Sequence, residues 1–241
     1  MLGPFVDATN HPEFKEGHAF VKDEDGEKIP VPFETFFVQS ISSLLQEFIE
    51  STEGSPSQFV LCPSIDDASA EPVFPQAPLA DRDPHQTEVS GGEGIVVGTL
   101  ELSDLTSSSK GFSRVHSVSN PCTITITECI VGITSNDVIF KLSTEMASAN
   151  LAPGSRMTRI AEHLIKQRSY YPVFPPAENV NLDWKFKDQW AMPCRPDLLI
   201  VPSKLREFAK PILDKSILAI NPGKLTRDTT GGTYAVIDIE P

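Results

Sequence analysis

The sequence predicts an α/β fold, and three features lead to that prediction. An amphipathic stretch at residues 33–50 is followed by an apolar run at residues 58–63, which ends in a polar loop. Two later apolar runs, at residues 197–202 and 217–223, also stop at turns that contain proline. Helix, strand and loop in this order are typical of layered α/β folds. With 241 residues, 39% of them hydrophobic, the chain can form one large domain or two small ones.

The beginning of the chain predicts the end of a strand, a polar loop and a helix. Residues 1–7 have the pattern of a strand entering a loop, so we expect either that the chain is a fragment or that this short strand is completed elsewhere. Residues 10–30 are polar and predict a solvated loop. Apolar side chains then recur at intervals of three and four residues, which predicts an amphipathic helix over about residues 33–50. These side chains are Phe33, Phe36, Phe37, Ile41, Leu44, Leu45, Phe48 and Ile49.

The composition changes in the middle of the chain. Residues 58–63 predict a short buried strand, whereas residues 68–113 carry several prolines, a glycine-rich run and a serine run. Such a composition cannot bury enough apolar surface to fold, so we expect a disordered insertion at about residues 80–113. Residues 94–100 are a candidate strand inside it. We interpret residues 1–241 as one partial domain that carries this insertion.

The second half of the chain predicts a hairpin followed by two helices. Two β-branched runs, at residues 123–127 and 129–134, predict an antiparallel hairpin. Asn136 is the expected cap of a helix over about residues 137–147. A second amphipathic helix fits residues 156–168, where apolar side chains share one face.

The last third of the chain predicts mainly extended structure. Prolines exclude a helix at residues 169–176. The two late apolar runs named above predict strands. Ser203 is the expected cap of a short helix that reaches about Lys210. Alternation at residues 233–239 predicts a final strand.

The composition also limits the classes of function. The net charge of −13 repels phosphates, so we expect contact with DNA to be at most indirect. Lys204, Arg206 and Lys210 form either a small basic patch or a solvated helix face. The chain has no apolar run of ~18 residues and no secretion signal, which predicts no membrane span and a nuclear or cytosolic protein. The cysteines lack metal-site spacing and predict free thiols: Cys62, Cys122, Cys129 and Cys194.

Three polar loops follow predicted strands, where α/β folds place their active sites. They are GPFVD at residues 3–7, PSIDD at residues 63–67 and NPGKL at residues 221–225. The strings in and around them, over nearly all of the chain outside residues 80–113, resemble the accessory B subunits of DNA polymerase alpha. These strings are LGPFVDATNHP, FVLCPSIDDASAEPVFPQAPL, RSYYPVFPP, PDLLIVPSKLREF and AINPGKLTRDTTGGTYA. The later half of that family resembles the calcineurin-like metallophosphoesterases, which implies an α/β sandwich, here truncated at its amino end.

The resemblance also implies that the metal ligands of a phosphoesterase are missing. Active phosphoesterases hold two metals with the motifs DxH, GDxxD, GNH and GHxH. Pro4 stands at the bridging aspartate of GDxxD, and Ser64 and Ile65 replace the asparagine and histidine of GNH. Residues 221–224 contain no histidine in place of GHxH, and DxH would lie before Met1. The implied protein is not an enzyme and has no catalytic residue, metal ligand or cofactor.

Two interpretations stay open for the acids of these loops and for the aromatic residues. Asp7, Asp66 and Asp67 are either residual metal ligands or acceptors of hydrogen bonds from backbone amides in their turns. The ribbon at residues 169–176 either contacts a partner or packs on its own core. The same choice applies to two tryptophans in a polar segment: Trp184 and Trp190.

The resemblance implies a nuclear, non-catalytic accessory subunit of the DNA polymerase alpha–primase complex. Such a protein binds the carboxy-terminal zinc-binding domain of the catalytic subunit, reaches the primase subunits through the complex, and supports initiation of DNA replication. Two alternatives remain. One is the B subunit of DNA polymerase delta or epsilon, and the other is a divergent metal-dependent phosphodiesterase that uses Asp7, Asp67 and an unrecognised histidine.

Overall fold

The computed structural model describes residues 1–7, 19–23, 25–52, 55–81, 100–102, 105, 114–147, 155–227 and 230–239. These residues divide into two compact units. The first comprises Met1–Pro72 and Gln76–Ser119, and the second comprises Val73–Pro75 and Asn120–Pro241. The prediction of an α/β fold is confirmed, because helices and several small sheets alternate along the chain.

The secondary structure has the following bounds. The strands are β1 Ala19–Lys22, β2 Lys28–Val31, β3 Phe59–Leu61, β4 Val73–Phe74, β5 Val115–Ser117, β6 Cys122–Ile126, β7 Cys129–Ile133, β8 Asn181–Leu182, β9 Leu198–Ile200, β10 Phe208–Ile212, β11 Ile217–Asn221, β12 Thr226–Arg227 and β13 Thr230–Gly231. The α-helices are α1 Phe33–Phe37, α2 Ser43–Ser51, α3 Val138–Glu145 and α4 Arg156–Lys166. A π-helical segment, Val38–Ser42, joins α1 to α2, and Trp184–Trp190 forms a 3₁₀ helix. None of the described helices is both long and apolar enough to span a membrane.

The long helix of the first unit confirms the predicted amphipathic helix. It runs without a break through α1, the π-helical segment and α2, and it buries Phe37 and Leu45. The π-helical segment turns Ser42 into the core, where its hydroxyl donates to the Leu100 carbonyl at 2.7 Å. A buried hydroxyl needs such a partner, because an unpaired one would cost free energy.

The prediction of a polar loop at residues 10–30 is wrong at Ala19–Lys22 and from Lys28 onward, where β1 and β2 pair as an antiparallel hairpin. The Asp23 carboxylate supports the turn by accepting from the N–H groups of Asp25 and Glu27. Gly26 adopts a φ of +84° in this turn, a conformation that favours glycine. The turn chemistry and the buried Ala19 outweigh the polar composition on which the loop prediction rested.

The core of the first unit includes residues from the predicted insertion. Leu100, Leu102 and Leu105 are buried in the same cluster as Val6, Phe37, Leu45, Leu61, Leu79 and Val115. The Asp81 carboxylate accepts from the N–H groups of Leu100 and Leu102. Most of residues 80–113, and the candidate strand there except for its last residue, lie outside the described residues, so disorder stays a prediction.

The second unit is organised by a five-stranded mixed sheet in the order β10-β11-β9-β7-β6. Its three inner strands, β7, β9 and β11, are parallel to one another, and the two edge strands are antiparallel to their neighbours. The β6–β7 pair is the predicted hairpin. Because β7, β9 and β11 are parallel, the loops that follow them leave the same edge of the sheet.

Both helices of the second unit are confirmed, with one correction. Helix α4 buries Ile160, Ala161, Leu164 and Ile165 on one face, as its periodicity predicts. Helix α3 is capped by Asp137, whose carboxylate accepts from the Phe140 N–H at 3.0 Å. The expected cap, Asn136, lies one residue too early, and its side-chain oxygen accepts from the Lys141 ammonium instead.

Two predicted elements near the end of the chain are wrong. Ser203 does not cap a helix, because its hydroxyl accepts from the Leu205 N–H in a turn and the chain then enters β10. Pairing of all five β10 residues with β11 outweighs the local capping signal. Residues 233–239 are exposed for the most part and form no strand.

The aromatic ribbon at residues 169–176 contains no helix, as predicted, and its two halves differ. Tyr170 and Tyr171 are buried, whereas the side chain of Phe174 is 82% exposed. Trp184 contacts Phe174 and Trp190 edge to face, and Trp190 stacks on the buried Phe74. Of the two interpretations of this ribbon, contact with a partner or packing on its own core, the second therefore holds for Tyr170 and Tyr171.

Candidate functional site

The first two polar loops lie side by side in the first unit. Leu2 pairs with Cys62 in parallel, and the Gly3 N–H donates to the Cys62 carbonyl at 2.9 Å. Asp7 pairs with Asp67, and the Ala68 N–H donates to the Val6 carbonyl at 2.9 Å. The GPFVD and PSIDD loops therefore form one site. Leu2 makes an isolated β-bridge, so the end of a strand at residues 1–7 stays a prediction.

The Asp67 carboxylate joins these two loops. One of its oxygens accepts from the N–H groups of Phe5 at 2.5 Å and Val6 at 3.1 Å. The other accepts from the Ser64 N–H at 2.9 Å. Asp67 is 5% exposed. The interpretation that it binds backbone amides is confirmed, and its oxygens satisfy three N–H groups that would otherwise be buried without partners.

Burial raises the pKa of Asp67 to about 6, from an ordinary value of 3.8. The three backbone N–H groups act in the opposite direction, because they stabilise the ionised form, and the nearby Asp66 charge raises the pKa further. Removal of the carboxylate from water is thus the larger effect at this position.

Gly3 provides the space that Asp67 occupies. A Cβ atom at Gly3 would lie 2.2 Å from a carboxylate oxygen of Asp67 and 2.9 Å from the Ser64 nitrogen. Gln76 closes the other side of the PSIDD loop, because its amide donates to the carbonyls of Ser64 and Glu71. Sequence reasoning missed Gln76, and a single glutamine in a proline-rich segment gives no signal for this role.

These two loops do not fit the two-metal centre that the phosphoesterase motifs would build. Pro4 has no ligand atom in its side chain, and both oxygens of Asp67 already accept hydrogen bonds from backbone amides. A cation at Asp67 would have to compete with these three donors for the carboxylate. Within the described part of the chain, no three His, Cys, Asp or Glu side chains are grouped so that they could hold a metal ion.

The third loop lies in the second unit, at the end of β11, and Asn221 organises it. The side-chain oxygen of Asn221 accepts from the N–H groups of Ser203 at 2.8 Å and Gly223 at 3.0 Å. Its amide nitrogen donates to the carbonyls of Leu205 at 3.1 Å and Arg206 at 3.2 Å. Gly223 adopts a φ of +77°, so the predicted tight turn at residues 221–224 is confirmed.

Sequence reasoning missed two further polar residues at this edge of the sheet. The Asp137 carboxylate, which caps α3, also accepts from the Lys204 N–H at 2.9 Å. Asn120 is buried, and its side-chain oxygen accepts from the Thr134 hydroxyl and the Ser135 N–H. Had β7 and β9 been predicted as parallel neighbours, the loops that follow them would have been expected to meet at one edge of the sheet.

The basic residues after Ser203 are exposed but do not lie on a helix, contrary to the prediction. The Lys204 ammonium lies 3.5 Å from the centre of the Phe140 ring, a cation–π contact. Lys210 lies on the edge strand β10.

The four cysteines are free thiols, as predicted.

Comparison with known proteins identifies the family. The sequence model for the B subunits of DNA polymerases alpha and epsilon matches residues 1–210. The chain belongs to this family. Proteins named as the B subunit of DNA polymerase alpha, from Mus musculus and Rattus norvegicus, are 32% and 33% identical over 235 residues, which is 97% of this chain and 32% of each relative. The Bos taurus protein of that name is 33% identical over 220 residues, 90% of this chain and 30% of the relative. The chain therefore spans about a third of the length of these relatives.

Proposed function

We propose that the chain is part of a non-catalytic accessory subunit of DNA polymerase alpha–primase. In this function it binds the carboxy-terminal zinc-binding domain of the catalytic subunit, is linked to the primase subunits through the complex, and supports initiation of replication in the nucleus. Membership of the family carries the proposal, because the match extends over residues 1–210. The related proteins named above belong to polymerase alpha, which favours this polymerase over delta or epsilon.

The use of polar side chains in the loops supports the non-catalytic part of the proposal. Catalysis of phosphoester hydrolysis needs ligand atoms or proton donors that are free to contact a substrate. Asp67 and Asn221 instead direct their polar atoms at backbone groups of their own loop and of a neighbouring loop. This arrangement makes rigid turns, which suit a scaffold that presents a fixed surface to another protein.

The proposed fold is a calcineurin-like α/β sandwich. The mixed sheet with parallel inner strands and polar loops at one edge supports it. Contact with DNA is indirect in this proposal, since a net charge of −13 opposes binding to phosphates.

Co-purification tests the partner. The tagged protein, expressed in its own cells, is expected to bring down the catalytic subunit of polymerase alpha together with primase. Recovery of the delta or epsilon catalytic subunit in its place would assign another polymerase. Recovery of no polymerase subunit would overturn the proposal.

Metal analysis and a phosphodiester assay test the non-catalytic part. The same purified protein is expected to contain no stoichiometric manganese, zinc or iron of its own and to show no turnover of a generic phosphodiester. Stoichiometric metal together with turnover that Asp67→Asn abolishes would instead establish the divergent phosphodiesterase.

A further inference from the structure

A surface cavity of about 320 Å³ lies in the second unit, beside the carboxyl end of α4. The residues that line it come from the end of α4 and from the segment before β9. They are Ile165, Lys166, Arg168, Met192, Cys194 and Arg195. The volume lies at the lower limit of the roughly 300–1,000 Å³ that enclose a drug-sized ligand, so it suits one or two apolar side chains.

The cavity has an apolar floor and a cationic rim. Ile165 and Met192 are 8% and 3% exposed and form the floor, whereas Lys166, Arg168 and Arg195 are exposed. Lys166 pairs with Glu162 at 2.8 Å, and the Arg168 guanidinium donates to the Pro193 carbonyl at 3.3 Å. Arg195 makes no hydrogen bond or ion pair with any described residue. The chain has a net charge of −13, so three cations around one cavity form a local positive patch on an acidic protein.

Arg168 occupies a backbone position that favours glycine. Its φ is +50°, and it ends α4 with two hydrogen bonds, from its own N–H to the Ile165 carbonyl and from the Ser169 N–H to the Leu164 carbonyl. This pattern is the Schellman motif, in which glycine is the usual residue at the left-handed position. The arginine is therefore present at a cost to the backbone that glycine would not incur.

Interaction with the helix dipole does not account for this set of cations. Cations at the carboxyl end of a helix are favourable, which is a sufficient reason for Lys166 and contributes at Arg168. Arg195 follows Cys194 in an irregular segment and lies outside any helix, so the dipole gives no reason for its position. A ligand that carries more than one negative charge would account for Arg168 and Arg195 together.

We propose that this cavity binds an acidic peptide segment of a partner protein. An apolar side chain of the peptide occupies the floor over Ile165 and Met192, and flanking carboxylates pair with Arg168 and Arg195. Arginine forms two parallel hydrogen bonds with a carboxylate, and methionine adapts its shape to different apolar side chains. Nucleic acid fits less well, because none of the lining residues is aromatic and the rest of the chain repels phosphates.

Selection from a random peptide library on the intact protein tests the ligand chemistry. The enriched peptides are expected to carry at least two Asp or Glu residues beside an aliphatic or aromatic one. The best peptide is then synthesised with a fluorophore, and its Kd is measured by anisotropy. Arg195→Glu is expected to weaken binding about tenfold or more, and higher salt weakens binding further. Lys22→Glu, at an exposed lysine of the first unit, makes the same charge change and is expected to leave the Kd unaltered.

Two further measurements distinguish binding at this cavity from a general effect of charge. The bound peptide is expected to slow alkylation of the exposed Cys194 and to leave the rate at Cys129 unchanged. Arg168→Gly is expected to weaken binding while its Tm is no lower than that of the wild type, because glycine suits the left-handed position. Selected peptides without acidic bias, tighter binding of a labelled single-stranded DNA, or unchanged affinity in Arg195→Glu would each overturn the proposal.

Discussion

Asp67 in the first unit and Asn221 in the second hold polar loops in similar ways but with different chemistry. Each side chain is buried at a loop that follows a strand, and each accepts from backbone N–H groups. Asn221 accepts two hydrogen bonds and donates two, so an amide uses its full capacity. The Asp67 carboxylate only accepts, and it carries a charge whose burial raises its pKa to about 6.

The two residues show that a polar loop can be held either by a group that titrates, the Asp67 carboxylate, or by one that does not, the Asn221 amide. The carboxylate at Asp67 suits a site where three N–H groups converge. The amide at Asn221 suits a site where two N–H groups and two carbonyls converge. In both cases the residue type matches the backbone groups around it, which is a requirement of folding rather than of catalysis.

Asn221→Asp is the strongest test of this match. The new carboxylate would place an oxygen against the carbonyls of Leu205 and Arg206, where the amide now donates. We expect the free energy of unfolding at neutral pH to fall by about 4 kcal/mol, as measured by urea denaturation. Asn136→Asp is the matched control. It is equally buried, but its amide nitrogen has no partner among the described residues and the Lys141 ammonium is adjacent, so we expect a much smaller loss. Equal losses in the two variants would contradict the match.

Asp67→Ala tests the other side of the comparison. It leaves the N–H groups of Phe5, Val6 and Ser64 buried without their acceptor, and we expect a loss of about 3 kcal/mol in unfolding free energy. Amide hydrogen exchange should become faster at these three positions. Asp25→Ala, at an exposed position of the β1–β2 turn, is expected to change stability by less than about 0.5 kcal/mol. Unchanged exchange at Phe5 and Val6 would mean that the carboxylate does not hold the GPFVD loop.

Gly3→Ala sharpens the role of Asp67, because the added methyl group and the carboxylate compete for one space. A Cβ atom 2.2 Å from the carboxylate oxygen is expected to cost about 2–3 kcal/mol. In an Asp67→Ala background the same substitution should cost less, because only the contact with Ser64 remains, so a double-mutant cycle reports the coupling of the two sites. Gly231→Ala is the control, because nothing lies within 4 Å of its added Cβ. Additive losses at Gly3 and Asp67 would contradict the close contact.

Local periodicity predicted the long helices and several strands of this fold, whereas strand pairing decided the error at Ser203. The helices over residues 33–51 and 156–166 follow from their apolar spacing, and the β6–β7 hairpin follows from two β-branched runs. The error at Ser203 has a different cause. A local capping signal was present, but pairing of β10 with β11 determined the structure.

The candidate site was predictable in position but not in chemistry. The sequence placed polar loops after strands, and the GPFVD and PSIDD loops do meet. Asp67 could have been a metal ligand or an acceptor for backbone amides, and the choice depends on the N–H groups of Phe5 and Val6, which lie more than 60 residues away in sequence. The cationic cavity beside α4 was not predicted, because Arg168 and Arg195 are brought together only by the fold.

The pH dependence of stability gives the smallest expected effect and the most direct comparison of carboxylate with amide. The pKa of Asp67 is raised from 3.8 to about 6 in the folded protein, so the folded form binds a proton more tightly than the unfolded chain. The stability that this proton contributes is present below about pH 4 and is lost as the pH rises through about 6. Between about pH 5 and pH 7 the wild type should lose about 1 kcal/mol more unfolding free energy than Asp67→Asn, which cannot titrate.

The free energy of unfolding is measured by urea denaturation at several pH values for the wild type and for Asp67→Asn. The difference between the two isolates the contribution of Asp67 from that of the other acids. Asn221→Ser, which removes no titratable group, should shift the whole curve without changing its slope. The opposite slope at Asp67, with the wild type gaining stability as the pH rises toward and through about 4, would mean that the three N–H donors outweigh burial and hold its pKa below the ordinary value. In that case the carboxylate, like the Asn221 amide, would keep one protonation state throughout the physiological range.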